Sequence, residues 1–332
     1  MEQSQYPLVT FALFAYNQEK YIREAVEAAL AQDYPNLEVI VSDDASVDGT
    51  WAVIQGIAED YKGPHNLIVA RNECNLGPFR HVLKVGGKAS GVLVVMAAAD
   101  DLSKPERVSR MQRAWRETGA WGLSSRYDVI DAEGRVLARK ARTEELFSPG
   151  FDLRNYFVHA DAINIVHGAT SAYSKAVFNL ANYENAPDIL AEDGMLSLMI
   201  NFLGKPIVNL EESLIQYRMH DGALTNTGSP PLNTSESIVR FIDKSKRYAA
   251  SSRERAKFLL QFAQAYPGET TRKLNMSYIL RDIRRQDLRA RWDEIGSLGR
   301  LRELWQCPTD WRWILPRVLG RNIYVASKRW RK

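Results

Sequence analysis

Four short apolar segments in the first hundred residues, separated by segments with helical periodicity, constrain the possible fold more than any other feature. The apolar segments are residues 8–14, 37–41, 67–70 and 92–99, and the helical segments between them are 18–31, 51–58 and 78–88. Short apolar strands that alternate with amphipathic helices indicate right-handed βαβ units. The sequence therefore predicts an α/β fold in which a mostly parallel sheet is flanked by helices.

Polar side chains follow each of the four predicted strands at the point where the strand ends. They are Asn17, the pair Asp43 and Asp44, Arg71 with Asn72, and the pair Asp100 and Asp101. The carboxyl ends of parallel strands meet at one edge of the sheet, where open α/β sheets bind their ligands, so we expect these groups to converge on a ligand site. Asn17 is also a candidate N-cap for the helix that follows it.

The adjacent carboxylates Asp100 and Asp101 have two interpretations that their own sequence does not separate. Two neighbouring carboxylates repel each other and lose hydration unless a cation joins them, which favours a divalent metal holding a phosphate-bearing substrate. The alternative is a helix start, in which Asp101 or Ser103 caps a helix that begins near Pro105.

The chain after the fourth predicted strand is less regular than the part before it. Its predicted strands are residues 122–130 and 135–139, on either side of a turn at 131–134, and residues 207–210 and 213–217. Glu192 and Asp193 open a predicted apolar helix that Gly204 closes.

A segment rich in Asn, Ser, Gly and Pro, residues 226–233, predicts a domain boundary. Residues 235–290 beyond it have the pattern of charged helices. We therefore expect a sheet-containing domain at 1–225 and a helical extension at 226–332.

Several motifs of other protein classes are missing from the sequence. The segment from Phe14 to Glu19, after the first predicted strand, has neither glycine nor a basic residue, which disfavours dinucleotide oxidoreductases and nucleotidyltransferases. The two cysteines, Cys74 and Cys307, give no metal-binding spacing and no disulfide framework, which predicts a reducing, cytoplasmic compartment. We expect neither a signal peptide nor a membrane-spanning helix, since no apolar run is long enough to cross a bilayer.

An ordered series of motifs resembles the family 2 inverting glycosyltransferases with a GT-A fold, over residues 7–222. The motifs are Phe14-Ala15-Tyr16-Asn17, Asp43-Asp44-Ala45-Ser46-Val47-Asp48-Gly49-Thr50, Asn75-Leu76-Gly77, Asp100-Asp101, Glu192-Asp193 and Tyr217-Arg218-Met219-His220. The resemblance implies a GT-A, Rossmann-like sheet and transfer of a sugar from a nucleoside-diphosphate sugar (UDP, dTDP or GDP) to a hydroxyl of a glycan or glycolipid acceptor. It also implies a place in the assembly of bacterial cell-surface polysaccharide or glycolipid.

The resemblance implies a role for each motif residue. Nucleotide-sugar contacts are implied for Phe14, Ala15, Tyr16, Asn17, Asp43, Asp44, Arg71, Arg80, Ala99, Asp100 and Arg218. The implied ligands of Mg²⁺ or Mn²⁺ are Asp100, Asp101 and His220. Asp193 is the implied general base on the acceptor hydroxyl, with Glu192 in support.

Each carboxylate pair also has a purely structural interpretation. Asp43 and Asp44 are suited to capping a local turn, and Glu192 and Asp193 favour the positive end of a helix dipole. Ala98 stands where the family often has the first metal-site carboxylate. The alternative function is therefore a catalytically silent GT-A protein that binds a nucleotide sugar or acts as a scaffold.

The C-terminal segment 292–332 contains five tryptophans among Arg and Lys residues. The net charge is −4 over residues 1–280 and +8 over residues 281–332, so the basic character belongs to this end of the chain. Such a composition favours an anionic membrane surface, here the inner face of the plasma membrane. Packing onto the catalytic domain and a homo-oligomer contact are equally compatible with the pattern, and no nucleic-acid partner is expected.

Overall fold

A computed structural model describes residues 6–141, 153–159, 163–220, 235–268 and 271–291, and within them nine strands form one sheet. The first half contains β1 (Val9–Ala15), α1 (Ile22–Leu30), β2 (Leu37–Asp43), α2 (Thr50–Asp60), β3 (Asn66–Arg71), α3 (Pro78–Lys88), β4 (Leu93–Ala98), β5 (Leu102–Ser103), α4 (Arg107–Thr118), β6 (Gly122–Ile130) and β7 (Val136–Ala141). The second half contains β8 (Ala172–Ser174), α5 (Glu192–Phe202), β9 (Ile207–Arg218), α6 (Ser235–Ala265) and α7 (Met276–Ala290).

The strand order is β3-β2-β1-β4-β8-β6-β9-β5, with β7 paired to β6. The first four strands are parallel, whereas β8 runs antiparallel to both of its neighbours. The predicted α/β class with a mostly parallel sheet at its N-terminal half is therefore confirmed.

The sheet curls between β4 and β5. Only residues 99–101 separate these strands along the chain, yet they lie four places apart in the sheet. Consecutive Cα atoms are about 3.8 Å apart, so three residues cannot reach across four strands of a flat sheet. The far edge of the sheet, formed by β9 and β5, must therefore return to the carboxyl end of β4.

The core lies between the parallel strands and the helices that connect them. Phe11 of β1, Val39 of β2 and Val95 of β4 are fully buried, and Ile22 of α1 and Val108 of α4 belong to the same cluster. Burial on both faces of the sheet explains why these strands are continuous apolar runs rather than alternating ones.

Two expectations about helix starts are wrong. Helix α1 begins at Ile22 with Tyr21 at the N-cap position, and Asn17 instead adopts a φ of 54° and accepts a hydrogen bond from Val47. Helix α4 begins at Arg107, so neither Asp101 nor Ser103 caps it. The interpretation of Asp100-Asp101 as a helix start is therefore excluded.

The expected strands at 207–210 and 213–217 are one strand, β9, with irregularities in its pairing to β6. Residues 211 and 212 are glutamates that look like a polar break in the sequence, but both lie within the strand. The break in the apolar pattern therefore coincides with a shift in the register of β6 and β9 and does not end the strand.

The chain divides into two compact units, of which the first is Met1–Thr227 with Glu254–Ile279. Within it, the ring centroids of Phe258, in α6, and Phe79 are 5.7 Å apart, and those of Phe262 and Phe202 are 5.9 Å apart. The expected helical C-terminal portion is thus present, and its segment 254–279 groups with the sheet. The predicted boundary between residues 225 and 226 stays a prediction.

The second unit is Gly228–Arg253 with Leu280–Lys332. Its described part consists of helical residues in which Arg253 donates to Asp287 at 2.6 Å. Across the described portions of the chain, no helix combines the length and apolarity that crossing a membrane requires. The basic, tryptophan-rich segment 292–332 lies outside the described residues.

Candidate active site

The carboxyl ends of β1, β2, β3 and β4 lie at one level of the sheet. Ala15 is in register with Asp43, Asp43 with Arg71, and Phe14 with Ala98. This register places the polar strand ends at one edge of the sheet, and their convergence on a ligand site stays a prediction.

Asp43 is fully buried and shapes the turn that follows β2. Its carboxylate accepts hydrogen bonds from the backbone N–H and the hydroxyl of Ser46, and Arg71 Nε lies 3.1 Å away. Arg71 Nη2 also donates to the Ser46 carbonyl at 2.7 Å, and its guanidinium lies over the Trp51 ring. Asp43 and Arg71 therefore form an ion pair in which Asp43 is buried and Arg71 is partly exposed to solvent.

Asp44 joins the end of β2 to the loop before α3. It accepts hydrogen bonds from Asn72 Nδ2 at 2.7 Å, Leu76 N at 2.9 Å and Gly77 N at 3.0 Å. Gly77 has a φ of 77°, a conformation that favours glycine. The expected contact of Asp43 or Asp44 with a nucleobase stays a prediction, because both carboxylates already have partners within the protein.

His81 of α3 completes the buried side of this region. Its Nε2 lies 2.7 Å from Ser42 Oγ, and Phe14 packs edge-on against its ring at 5.1 Å. Burial lowers the pKa of His81 to about 4, against the opposing effect of Asp44. His81 is therefore neutral at pH 7 and adds no positive charge to the site.

The loop after β1 connects the β2 side of the site to Asp100. Asn17 N donates to Ser46 Oγ at 2.8 Å, and Gln18 Nε2 lies 3.4 Å from Asp100 Oδ2. Tyr16 is 46% exposed, so its ring is accessible at the edge of the sheet. The backbone of this loop is tied to both neighbouring strands, by Asp44 N to the Ala15 carbonyl and by Ala99 N to the Phe14 carbonyl.

Arg80 is placed differently from the other predicted donor-site residues. It lies in α3, and its Nε donates to the Tyr183 carbonyl at 3.2 Å. Its expected contact with the diphosphate stays a prediction.

The Asp100 carboxylate, in the turn after β4, faces the imidazole of His220. Asp100 Oδ2 lies 3.0 Å from His220 Nε2, and both side chains are largely buried. Within the part of the chain that the structure describes, no group of three or more His, Cys, Asp or Glu side chains could by itself hold a metal. Mg²⁺ in nucleotide sites is commonly held by one or two carboxylates together with phosphate oxygens and water, and the Asp100 carboxylate fits that donor set.

The structure directs the Asp101 carboxylate differently from that of Asp100. Its Oδ1 accepts a hydrogen bond from Arg218 N at 2.8 Å, while its buried Oδ2 has no hydrogen-bond partner in the described parts of the chain. Burial, followed by the neighbouring Asp100 charge, raises the pKa of Asp101 well above its usual range. The expected role of Asp101 as a metal ligand stays a prediction.

Arg218 holds the Asp100-Asp101 turn in place. Its Nε donates to the Asp100 carbonyl at 2.9 Å, Nη1 to the Ala132 carbonyl at 3.0 Å and Nη2 to Glu24 at 2.7 Å. The side chain is 2% exposed and stacks over Tyr21. These internal partners support a positioning role, and the expected contact of Arg218 with a diphosphate stays a prediction.

The predicted general base lies at the N-terminus of α5. Asp193 Oδ2 accepts a hydrogen bond from Gly168 N at 2.9 Å, and Oδ1 accepts one from Gly194 N at 2.6 Å. A Cβ on Gly168 would lie 2.7 Å from Glu192 Oε1, so a larger residue at this position would require the Glu192 side chain to move. Burial and the adjacent Asp193 charge raise the pKa of Glu192 to about 8.

Arg107 is a residue of this region that the sequence motifs do not identify. It is fully buried, and its Nη2 donates to the Met96 carbonyl at 2.6 Å and to the Ala169 carbonyl at 3.2 Å. The available signal was its position four residues before Met111, which places an arginine on the buried face of α4. A single charged residue on an apolar helix face is too weak a signal to assign a partner.

A sequence profile of the glycosyl transferase family 2 matches residues 10–180. The succinoglycan biosynthesis protein ExoO of Rhizobium meliloti (strain 1021) is 31% identical over 184 residues, which cover 54% of this chain and 49% of ExoO. The Escherichia coli protein WfaP, named UDP-Glc:alpha-D-GlcNAc-diphosphoundecaprenol beta-1,3-glucosyltransferase, is 26% identical over 255 residues, covering 71% of this chain and 86% of WfaP. This chain therefore spans about half the length of ExoO and most of the length of WfaP.

Two solved structures share the fold. The mannosyltransferase PcManGT from Pyrobaculum calidifontis, in complex with GDP-Man and Mn²⁺, superposes with a TM-score of 0.51 at 19% identity, covering 87% of this chain and 70% of that one. TarS 1–349 of S. aureus, in complex with UDP-GlcNAc, superposes with a TM-score of 0.50 at 20% identity, covering 78% and 73%. With a profile match over more than half of its residues, this chain belongs to glycosyl transferase family 2.

Proposed function

We propose that this chain is an inverting glycosyltransferase that moves a sugar from a nucleoside-diphosphate sugar to a hydroxyl of a bacterial cell-surface glycan or glycolipid acceptor. One observation carries the proposal: the Asp193 carboxylate is bound by Gly168 N, on a turn that continues into β8. Strand β8 pairs with β4, the strand that leads to Asp100. The base and the diphosphate side of the reaction are thereby joined through one strand pair.

Asp193 and the groups that face the diphosphate have separate roles in the proposed reaction. Asp193 accepts the proton of the acceptor hydroxyl as that oxygen attacks the anomeric carbon from the face opposite the diphosphate. The new bond from carbon to the acceptor oxygen forms while the bond to the phosphate oxygen breaks, and its electron pair leaves with the diphosphate. Attack from the opposite face inverts the configuration at the anomeric carbon.

The leaving diphosphate carries the charge that the site must stabilise. A Mg²⁺ or Mn²⁺ ion held by Asp100 and His220 would neutralise and orient that diphosphate. Gln18, whose amide nitrogen lies 3.4 Å from Asp100 Oδ2, orients the Asp100 carboxylate from the loop after β1.

Glu192 serves the base through its protonation state. With a pKa of about 8, the Glu192 carboxyl is mostly protonated at pH 7. A protonated carboxyl is also a hydrogen-bond donor, so Glu192 can orient an acceptor oxygen beside Asp193.

The relatives support the class of donor and acceptor. The two solved neighbours contain UDP-GlcNAc and GDP-Man, and WfaP is named for UDP-glucose and a diphosphoundecaprenol-linked acceptor. We therefore propose a UDP- or GDP-sugar donor and a lipid-linked saccharide acceptor, with dTDP-sugars as the further donor class to test.

Slow hydrolysis of the donor tests the proposal without knowledge of the acceptor. UDP-Glc, UDP-GlcNAc, GDP-Man and a dTDP-sugar are each incubated with the protein and Mg²⁺, Mn²⁺ or EDTA, and release of the nucleoside diphosphate is followed. We expect release with at least one donor, and EDTA should abolish it because the diphosphate charge is then left unneutralised.

The absence of a carboxylate at Ala98 favours one alternative, a silent protein that binds the nucleotide sugar without transferring it. Binding of a nucleotide sugar, seen by thermal shift, without hydrolysis or transfer to any lipid-linked saccharide would support that alternative and contradict the proposed function.

A further inference from the structure

Arg107 is a fully buried cation, and among the residues that the structure describes its hydrogen bonds all go to neutral groups. Its Nη1 donates to Ser103 Oγ at 2.8 Å, and its Nη2 contacts the carbonyls of Met96, Ala169 and Ser171 at 2.6, 3.2 and 3.3 Å. The cationic side chain also lies over the Phe11 ring. A buried charge is expensive, so this set of contacts calls for an explanation beyond packing.

Two of the four acceptors flank the turn that carries the metal-site carboxylates. Met96 precedes this turn in β4, and Ser103 follows it in β5. Arg107 therefore fixes both ends of the segment that contains Asp100 and Asp101. Burial lowers the pKa of Arg107 to about 10, against the opposing effect of Asp101.

The other two acceptors belong to the turn that holds the base. Ala169 and Ser171 follow Gly168, whose N–H donates to Asp193 Oδ2 at 2.9 Å. Ser171 N and Ser171 Oγ both bond back to the Gly168 carbonyl, so the turn is a rigid unit once its carbonyls are held. The position of the Gly168 N–H, and with it Asp193, depends on the carbonyls that Arg107 binds.

We propose that Arg107 is a positioning residue that holds the Asp100-Asp101 turn and the Asp193 carboxylate in a fixed relation to each other. This inference deepens the proposed function and rests on it. One planar guanidinium bonds to both turns, and a shift of about 1 Å between reacting groups can lower a rate about a hundredfold. The fork geometry of arginine suits this task, since a lysine ammonium is shorter and presents its donors differently.

Four variants separate positioning from stability. Arg107→Lys keeps the charge, Arg107→Met keeps much of the volume, and Ser103→Ala removes one acceptor while leaving Arg107 in place. Val108→Ala is the matched control, because Val108 is fully buried in the same helix but belongs to the apolar core. For each, Tm, the kcat and KM of donor hydrolysis, and amide hydrogen exchange are measured.

We expect Arg107→Lys and Arg107→Met to lower kcat by about tenfold or more, with the donor KM changed by no more than about threefold. Ser103→Ala should lower kcat by about threefold, because one of four acceptors is lost. Exchange should accelerate in peptides covering residues 97–103 and 166–171. Val108→Ala should lower Tm while its kcat stays within about twofold of wild type.

Three results would overturn the inference. They are a kcat for a folded Arg107→Met protein within about twofold of wild type, unchanged exchange at residues 166–171 in that protein, and an equal loss of kcat in Val108→Ala. If neither Arg107 variant folds, unchanged kcat and exchange in Ser103→Ala overturn it. If the wild type hydrolyses no donor, the proposed function fails, and the exchange data alone still decide whether Arg107 couples the two turns.

Discussion

Asp193 is held by two backbone N–H groups. The proposed reaction depends on Asp193 more than on any other single residue. Both donors come from glycines, Gly168 and Gly194, so neither brings a side chain that would cover the carboxylate. A carboxylate held this way keeps one orientation before the acceptor arrives, which lowers the cost of ordering the reacting groups.

Asp193→Asn keeps the shape of the side chain and removes its ability to accept a proton. We expect kcat to fall about 10²–10⁴-fold, the range that general-base catalysis contributes, while donor binding changes little. Steady-state release of nucleoside diphosphate measures the first effect and thermal shift with the free nucleotide measures the second. Glu117→Gln, in an exposed ion pair with Arg113 on α4, is the control and should retain full activity. A kcat close to wild type in Asp193→Asn would remove Asp193 from the reaction.

Glu192 should give the protein a stability that depends on pH. Its pKa is about 8 in the folded protein, above the ordinary value of 4.5, so between these pH values the folded state binds more protons than the unfolded chain. The contribution is fully present below pH 4.5 and is lost as pH rises through 8. Between pH 5 and pH 8, the free energy of unfolding of the wild type should fall by about 1–2 kcal/mol more than that of Glu192→Gln, after allowance for the partial exposure of Glu192.

Urea unfolding at several pH values measures this difference. Glu184→Gln, which alters an exposed carboxylate outside the proposed site, should follow the wild-type curve. Parallel curves for wild type and Glu192→Gln would show that Glu192 has an ordinary pKa.

At this scale the sequence predicted which residue types gather at the sheet edge but not which atoms they bind. Asp44 is bonded by Asn72, Leu76 and Gly77, which lie 28 to 33 residues away. The partners of Arg218 include the Asp100 carbonyl, 118 residues away. Contacts of this kind depend on how the elements dock, and no local pattern encodes them.

The helices and strands of the first half were predictable because each is long enough to show a period. The predicted helix at 78–88 coincides with α3, and the predicted strand at 122–130 coincides with β6. Strands β5 and β8 have two and three residues, which is too short for any alternation to be recognised. These two short strands nevertheless matter for the site. Strand β5 completes the curl of the sheet, and β8 places the turn that binds Asp193 next to β4.

The second half of α6 should be required for the sheet-containing unit to fold. Leu259 and Phe262 are buried, and the Phe262 ring contacts Phe202 at the C-terminal end of α5, the helix that begins at the proposed base. A chain that ends at residue 225 lacks these side chains, and the loss of one buried phenylalanine alone costs about 3–5 kcal/mol. We expect the chain 1–225 to show no cooperative unfolding transition, whereas the chain 1–291 should show one.

Circular dichroism and urea titration of the two shortened chains measure this. Phe262→Ala in the full chain is the milder test and should lower the free energy of unfolding by a similar amount. Cooperative unfolding of the chain 1–225, together with nucleotide binding, would show that the boundary at residue 225 isolates a complete domain.

For the whole molecule, the uneven charge suggests where the protein works. Residues 281–332 carry 14 Lys and Arg against 6 Asp and Glu. Each basic residue near an anionic bilayer contributes about 1 kcal/mol, and salt screens the attraction. We therefore propose that the protein is peripheral at the inner face of the plasma membrane, close to a lipid-linked acceptor.

Flotation with vesicles tests this location. The full chain should float with vesicles containing anionic phospholipid, remain behind with purely zwitterionic vesicles, and lose binding as salt is raised from 0.05 to about 0.5 M. The chain 1–291 should not float. If the full chain stays in solution and light scattering instead shows a dimer that 1–291 does not form, the segment is an oligomer contact.

The curl that brings β9 back to β4 also determines when the donor site comes into existence. His220 and Asp100 are 120 residues apart in the chain, and the bond from Arg218 to Asp101 spans 117. Contacts between such distant residues form late, because a long loop must close first. During synthesis, the proposed donor site stays incomplete until residue 220 has left the ribosome. We therefore expect a chain that ends before residue 220 not to bind a nucleotide sugar, and nucleotide binding would then be a marker of completed folding.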